Sequence, residues 1–309
     1  MIAAHEVLEL AVKEGFQRAH LLENDEDSFL VCALSSYRKE PDDLSTSQEP
    51  HALIAPFARR NYYREAVKRL RRIALKIREK TGLTSHDIRI LCNSRVLEKP
   101  LAVAGGLGFY GKNSLVISPG LGSQFIIAVM SMELKMTGNY NKADKQPAGS
   151  GCGDCRACIS ACPVGAIIMP GVIDQKRCLQ YLAARLDNFT LPVKRAWSYR
   201  FYGCRSCQEV CPFNRELSLE TETELGVLGP SIAISSILSC PPEEIRQMFK
   251  GTQMGLSWVD PAALIRNALI AAGNRRNPGL LPYVEPFVGS SKAVLRESAL
   301  WALRELKEA

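Results

Sequence analysis

Two cysteine runs carry the densest chemistry in this chain. The first, "CGDCRACISACP" (152–163), places Cys152, Cys155, Cys158 and Cys162 at spacings of three, three and four and follows the last with Pro163. The second, "CRSCQEVCP" (204–212), contains Cys204, Cys207, Cys211 and Pro212. An iron–sulfur cube takes one thiolate per iron, and in the C-x2-C-x2-C-x3-C-P run three cysteines wrap one cube while the fourth ligates another. Exchange of fourth cysteines then assigns Cys152, Cys155, Cys158 and Cys211 to one [4Fe-4S] cluster. The other receives Cys162, Cys204 and Cys207 and lacks one ligand; Cys178, in "KRCLQYL", is the nearby cysteine left to supply it. Zinc also binds Cys-x2-Cys pairs, but three cysteines spaced by two before a Cys-Pro are uncommon in zinc sites. Two cubes in one small module form an electron wire.

The compartment follows from the same residues. Eleven cysteines in a small secreted domain would suggest disulfides, but this chain has 309 residues, 46% of them hydrophobic. Its N-terminus lacks the layout of a signal peptide, and no apolar run approaches the ~20 residues of a membrane helix. Clustered cysteines in a reducing compartment read as metal ligands, and cytoplasm is the expected location. Cys32, Cys92 and Cys240 stand outside the ligand pattern and read as small buried hydrophobes.

Charge is concentrated in one place. Residues 57–80, "FARRNYYREAVKRLRRIALKIREK", hold ten Lys or Arg against two Glu, while the whole chain carries +7, so the remainder is nearly neutral. Val67, Leu70, Ile73, Ala74 and Ile77 recur at helical spacing, which predicts a helix with its basic residues on the outer side. Such a stripe is either a solvated surface or a track for a phosphate backbone, with Arg59, Arg60, Arg64, Lys68, Arg71 and Arg72 as candidate contacts.

The elements around these groups follow from pattern. A helix opens the chain, and "SFLVCAL" (28–34), "DIRILC" (87–92) and "SQFIIAVMSME" (123–133) read as strands. The basic helix ends near "TGL" (81–83), with glycine as its C-cap. "PLAVAGGLGFYGKNSLVI" (100–117) predicts a helix, a glycine-rich turn and a strand. Residues 137–151 form a polar linker, and "LSLETETELGVLGP" (217–230) forms an acidic connector. The last 80 or so residues read as helical, ending in two amphipathic helices around a Gly-Ser-Ser turn, much like one helical repeat. About 150 residues precede the cysteines, more than a simple electron carrier needs, and they are expected to house the acceptor.

With these motifs in hand, the chain resembles the epoxyqueuosine reductase family over nearly its full length. The resemblance rests on "FARRNYYREAVKRLRRIA", "SRVLEKPLAVAGGLGFYGKNSLVI", the two cysteine runs with "RCLQYL" between them, and "MFKGTQ…LIRNALIAAGN". It implies an α+β chain with an N-terminal α/β cobalamin-binding catalytic domain (1–149) and a bacterial two-[4Fe-4S] ferredoxin-like module (150–216). A C-terminal α-helical HEAT-like domain (217–309) would follow. It implies cobalamin besides the two clusters and reduction of epoxyqueuosine to queuosine in tRNA held near its anticodon; the chain is further expected to take electrons from an external donor and to engage no membrane, with a monomer as the default. Gly108 and Gly111 would let backbone approach a flat corrin, with Lys112, Asn113, Ser114 and Ser123 bonding its polar arms. Glycines serve a tight turn equally well.

The sequence also departs from the family. Where the resemblance implies an Asp as proton donor and a Pro close behind, this chain has Cys92 and Arg95; Tyr62 and Arg64 stand where the family usually has Asp and His. Cys92 is then the candidate catalytic residue, since a neutral thiol can donate a proton. The alternatives are a paralogue performing another cobalamin-dependent reduction, an inactive descendant, and an electron-transfer protein with no tRNA substrate. "GTQMGLSWVD" (251–260) is less basic than a tRNA-facing segment should be. If the residues at 59–72 do hold tRNA, affinity falls steeply with salt.

Overall fold

The computed structural model describes residues 2–23, 27–37, 43–94, 98–135, 147–215, 217 and 228–308. The leading part is a four-stranded sheet ordered β1 (Arg18–Glu23), β2 (Ser28–Ser35), β7 (Phe125–Met132), β4 (Ile88–Leu91), antiparallel at every pairing. Its two central strands are buried on both faces. Leu30, Cys32 and Leu34 of β2 point to one side with Ile126, Ala128 and Met130 of β7; Val31, Ala33 and Val129 point to the other. Two-sided burial is why these strands read as unbroken apolar runs rather than alternating ones.

Helices α1 (Ala4–Lys13) and α2 (Tyr62–Thr81) cover the first face, and α3 (Glu98–Ala104) covers the second. Helix α2 starts where the Asn61 side chain accepts a hydrogen bond from Arg64 N at 3.0 Å, and it stops at Gly82, whose φ of 77° is left-handed. Tyr62, Ala66, Leu70, Ile73 and Ile77 face the sheet. That stripe shares three residues with the expected one. After α3 the chain makes a hairpin of two-residue strands, β5 (Phe109–Tyr110) with β6 (Val116–Ile117), where the sequence predicted a turn and one strand.

The cysteine module contains the single turns α4 (Ala157–Ser160) and α7 (Ser206–Glu209), which pack together. It also has a ribbon of β8 (Ile167–Met169) and β9 (Val172–Ile173), and the helices α5 (Leu179–Leu182) and α6 (Leu191–Trp197). A second sheet joins distant parts of the chain: β3 (His51–Ile54) pairs parallel with β10 (Arg200–Tyr202) and antiparallel with β11 (Ser231–Ala233).

After α8 (Ile234–Leu238) and α9 (Ile245–Met248) comes α10 (Pro261–Arg275), opened by the Asp260 side chain and buried on every side from Ala262 to Gly273. A helix apolar all round sits at a domain centre. The expected pair of repeat helices is uneven. Here α12 (Ala293–Lys307) is full length, whereas α11 (Leu281–Val284) is one turn that tightens into a 3-10 segment, Glu285–Gly289. Pro282 and Pro286 supply no N–H for an α-helical ladder. Most of the linker (136–146), most of the acidic connector (218–227) and Arg95 lie outside the described residues.

Candidate functional site

Cys152, Cys155, Cys158 and Cys211 line one cavity of about 340 Å³, together with Lys112, Asn113, Ile117 and Phe213. Two elements far apart in sequence build it: the turn leading into α4, and Cys211, which precedes a 3-10 turn opened by Pro212. Burial pushes the Cys158 thiol up, and negative charge on Cys152, Cys211 and Cys155 pushes it further. Among the described residues no three His, Cys, Asp or Glu side chains are gathered closely enough to hold a metal ion as they stand; a bound cation would stabilise thiolates that burial alone disfavours.

Cys162, Cys178, Cys204 and Cys207 are linked to one another through their electrostatics. Burial pushes the Cys207 thiol up to about 12, reinforced by Cys204 and Cys178, then by Cys158 and Cys162. The Cys178 thiol is raised by burial and feels Cys204 and Cys162 in turn. Cys162 Sγ accepts a hydrogen bond from Ala166 N at 3.1 Å, and Cys178 sits at the N-cap of α5. Cys207 senses Cys158 as well, so the two groups are electrostatic neighbours.

A second cavity, of about 230 Å³, lies on the other side of the β5–β6 hairpin. Leu115, Val116, Phe125, Ile126 and Ile127 make it apolar, while Tyr63, Asn93, Glu98, Lys99 and Ser123 give it polar groups. The hairpin is a shared wall: Asn113 and Ile117 line the cysteine cavity, and Leu115 and Val116 line this one. Burial, then Cys92 and Glu98, push the Tyr63 phenol up to about 12. Lys99 is lowered by burial and donates to Ser114 O at 2.9 Å. Cys92 does not itself line this cavity; it packs against two residues that do, its Sγ 3.7 Å from Ile127 O and 4.0 Å from Tyr63 O. Burial and Glu98 push that thiol up to about 12, so it stays neutral.

The glycine-rich residues are used differently from one another. A Cβ on Gly108 would strike the Ile117 carbonyl, and one on Gly111 would come within 2.6 Å of Ile117 Cδ1, so both glycines close the hairpin on itself. Lys112 donates to Gly153 O and Cys155 O in the cluster loop. Ser123 is tied to Asn214, whose Oδ1 accepts from Ser123 N at 2.7 Å, and Gln208 donates to Ser123 O at 2.9 Å. Ser114 takes a positive φ of 61° in the hairpin turn. Asn113 Nδ2 is buried with no hydrogen-bond partner among the described residues. An orphaned donor in the wall of a cavity is what a bound acceptor would satisfy.

The six basic candidates divide. Arg59 is buried and donates to Ile54 O; Arg60 pairs with Glu65 and Arg72 with Glu14. Arg64, Lys68 and Arg71 are exposed and make no ion pair with another described residue. Sequence reasoning gave no role to Tyr63, Lys99, Gln208, Asn214 or Trp258. Glu98 and Lys99 sat in the quoted "VLEKP", but only the fold turns them toward a cavity.

Residues 151–214 match the family model described as a 4Fe-4S double cluster binding domain. An epoxyqueuosine reductase of Francisella cf. novicida is 31% identical over 283 residues, covering 87% of this chain and 76% of that one. The chain belongs to the epoxyqueuosine reductase family. Its fold matches the structure of epoxyqueuosine reductase from Streptococcus thermophilus with a TM-score of 0.86 at 20% identity, over 100% of this chain and 91% of that one. It also matches an epoxyqueuosine reductase solved with an epoxyqueuosine-modified tRNA-Tyr stem loop, TM-score 0.83 and 21% identity, over 98% and 89% of the two chains. The chain spans only 54% to 65% of the length of several other curated relatives. Iron–sulfur clusters are the cofactor of its central module. Among the described residues no helix is long and apolar enough to cross a membrane.

Proposed function

We propose that this chain is an oxidoreductase that reduces epoxyqueuosine to queuosine in tRNA, using two [4Fe-4S] clusters and a cobalamin. The observation that carries the reading is the shared wall: four cysteines line one side of residues 112–117, and a part-apolar, part-polar cavity lies on the other. One cluster is held by Cys152, Cys155, Cys158 and Cys211, the other by Cys162, Cys178, Cys204 and Cys207. An apolar floor of Leu115, Val116 and Ile127 with Ser123, Lys99 and Asn93 around it suits a flat macrocycle with amide arms. Bound there, cobalamin supplies a two-electron reductant one hairpin away from the wire.

The chain's own residues do the rest. Lys112, Ser123 and Asn214 lock the leading domain to the cluster module, which fixes the distance electrons cross. Reducing an epoxide to an alkene consumes two electrons and two protons and releases the oxygen as water, so a proton donor must reach that oxygen. Cys92 is the candidate donor, a thiol held neutral beside the cavity. The partners of this reading are a tRNA, bound near its anticodon, and an external electron donor.

The test is anaerobic reconstitution with cobalamin, an absorption spectrum, and turnover of an epoxyqueuosine-containing tRNA by wild type, Cys92→Ala and Cys92→Asp. Corrin bands, conversion by wild type and loss in Cys92→Ala are expected. Conversion that neither substitution changes removes Cys92 as the donor. A corrin-loaded wild type that converts nothing removes the substrate.

A further inference from the structure

Trp258 is in the wrong place for a core residue. The other two tryptophans, Trp197 and Trp301, are buried, while Trp258 is 45% exposed. Leaving an indole in water forfeits much of its apolar burial. The loop beneath it is not slack. The Arg246 guanidinium donates to Leu256 O at 2.9 Å and to Val259 O at 3.2 Å, gripping the backbone on both sides of Trp258. Val259 is buried, and Asp260 N donates to Ala184 O at 3.0 Å. A fixed backbone holds this ring outward.

Its neighbours say toward what. The Trp258 and Tyr63 rings lie 6.3 Å apart at 69°, an edge contact, and Tyr63 lines the cavity beside the hairpin. Tyr63 is followed at once by the row Arg64, Lys68 and Arg71, spaced by four and three along one face of α2. Other basic side chains of that helix are already paired: Arg69 with Glu65, Arg72 and Lys76 with Glu14, Lys80 with Glu6. An exposed ring next to a cavity, continued by cations that pair with no described acid, is the arrangement that holds an unpaired nucleic-acid strand, with bases stacking and phosphates tracking the charge.

We propose that Trp258 stacks on an unpaired nucleobase of an RNA loop whose backbone follows Arg64, Lys68 and Arg71, delivering the adjacent nucleotide to the cavity beside Tyr63. The inference rests on the RNA substrate proposed above and assigns its recognition to residues of this chain. It separates two energies. The basic row acts on any polyanion, and the indole acts only where a base is free of its duplex.

The probes are a fluorescein-labelled RNA hairpin with an unpaired loop and a fully paired RNA duplex of equal length, titrated into the holoprotein by fluorescence anisotropy at several salt concentrations. Trp258→Ala is expected to weaken the hairpin about tenfold, leaving duplex affinity and the salt slope as in wild type; Trp258→Phe keeps most of the hairpin affinity. A triple Arg64→Ala, Lys68→Ala, Arg71→Ala variant weakens both RNAs and lowers the slope by about 0.7 for each phosphate it no longer neutralises. The proposal is overturned if Trp258→Ala binds the hairpin like wild type, if hairpin and duplex weaken equally, or if wild type binds neither. A protein that reduces no epoxyqueuosine yet shows tryptophan-dependent hairpin preference sinks the reductase reading and leaves this one standing. A working reductase indifferent to Trp258→Ala does the reverse.

Discussion

The ammonium of Lys112, carried on the β5–β6 hairpin, donates to the carbonyl oxygen of Cys155 at 2.9 Å and to that of Gly153 at 2.6 Å. A residue of the leading part of the chain thus places a positive charge on the loop that supplies three of the cysteines.

Net charge near a cube sets its reduction potential. Lys112→Met is expected to lower the potential of one cluster by about 60 mV, equivalent to ~1.4 kcal/mol for one electron, and Lys112→Arg to retain most of it. A redox titration followed by electron paramagnetic resonance reads this. Unchanged potentials in Lys112→Met make the contact purely mechanical.

Cys178 stands alone between the two runs, joined to the second group only by the fold. Cys178→Ser is expected to reduce iron from about eight to about four per chain, by iron and acid-labile sulfide analysis after anaerobic purification. Retention of the full complement would assign the fourth ligand elsewhere.

Arg266 is wholly buried in α10. Its guanidinium donates to the carbonyl oxygens of Leu182, Arg185 and Asp187 and to Asn267 Oδ1, and stacks on the Phe189 ring at 3.9 Å. Arg266→Leu strands the buried Leu182 carbonyl and Asn267 amide oxygen and two part-buried carbonyls, and should cost about 3 kcal/mol or more, read by urea denaturation. The stretch it ties down follows Cys178, so cluster content should fall with it. Full stability in Arg266→Leu would show those carbonyls finding other donors.

Glu14 bridges Arg72 Nε at 2.5 Å and Lys76 Nζ at 2.8 Å, pinning α1 to α2. Burial opposes ionisation, but the bonded cations outweigh it and hold the carboxyl below its ordinary value. A lowered acid contributes stability above its unfolded pKa and loses it as pH falls through the folded one. Glu14→Gln should therefore cost about 0.5–1 kcal/mol at neutral pH, with the difference vanishing in acid. A difference that persists in strong acid would not come from this carboxylate.

Spacing in the cysteine runs was legible because a cube's corners impose a local rule: three ligands from one loop and a fourth from its partner. The buried strands and the basic helix were legible for a related reason, since burial leaves its period in the residues that make it. Lone residues were not. Trp258 belongs to no repeating pattern, Cys92 stood out only through the family resemblance, and the glycines of "GLGFYGKN" read equally as a ligand cradle or a tight turn.

The residue order alone determined that two cysteine runs carry cluster spacing, where α2 ends, and that the central strands are buried. Only the tertiary structure decided that Lys112 and Ser123 brace the cluster module, that Arg59 is buried while Arg64, Lys68 and Arg71 remain open, and that the hairpin divides two cavities. Local rules act over a few residues and are written into spacing. A cavity wall or an open charge depends on what the far end of the chain brings beside it, which spacing does not record.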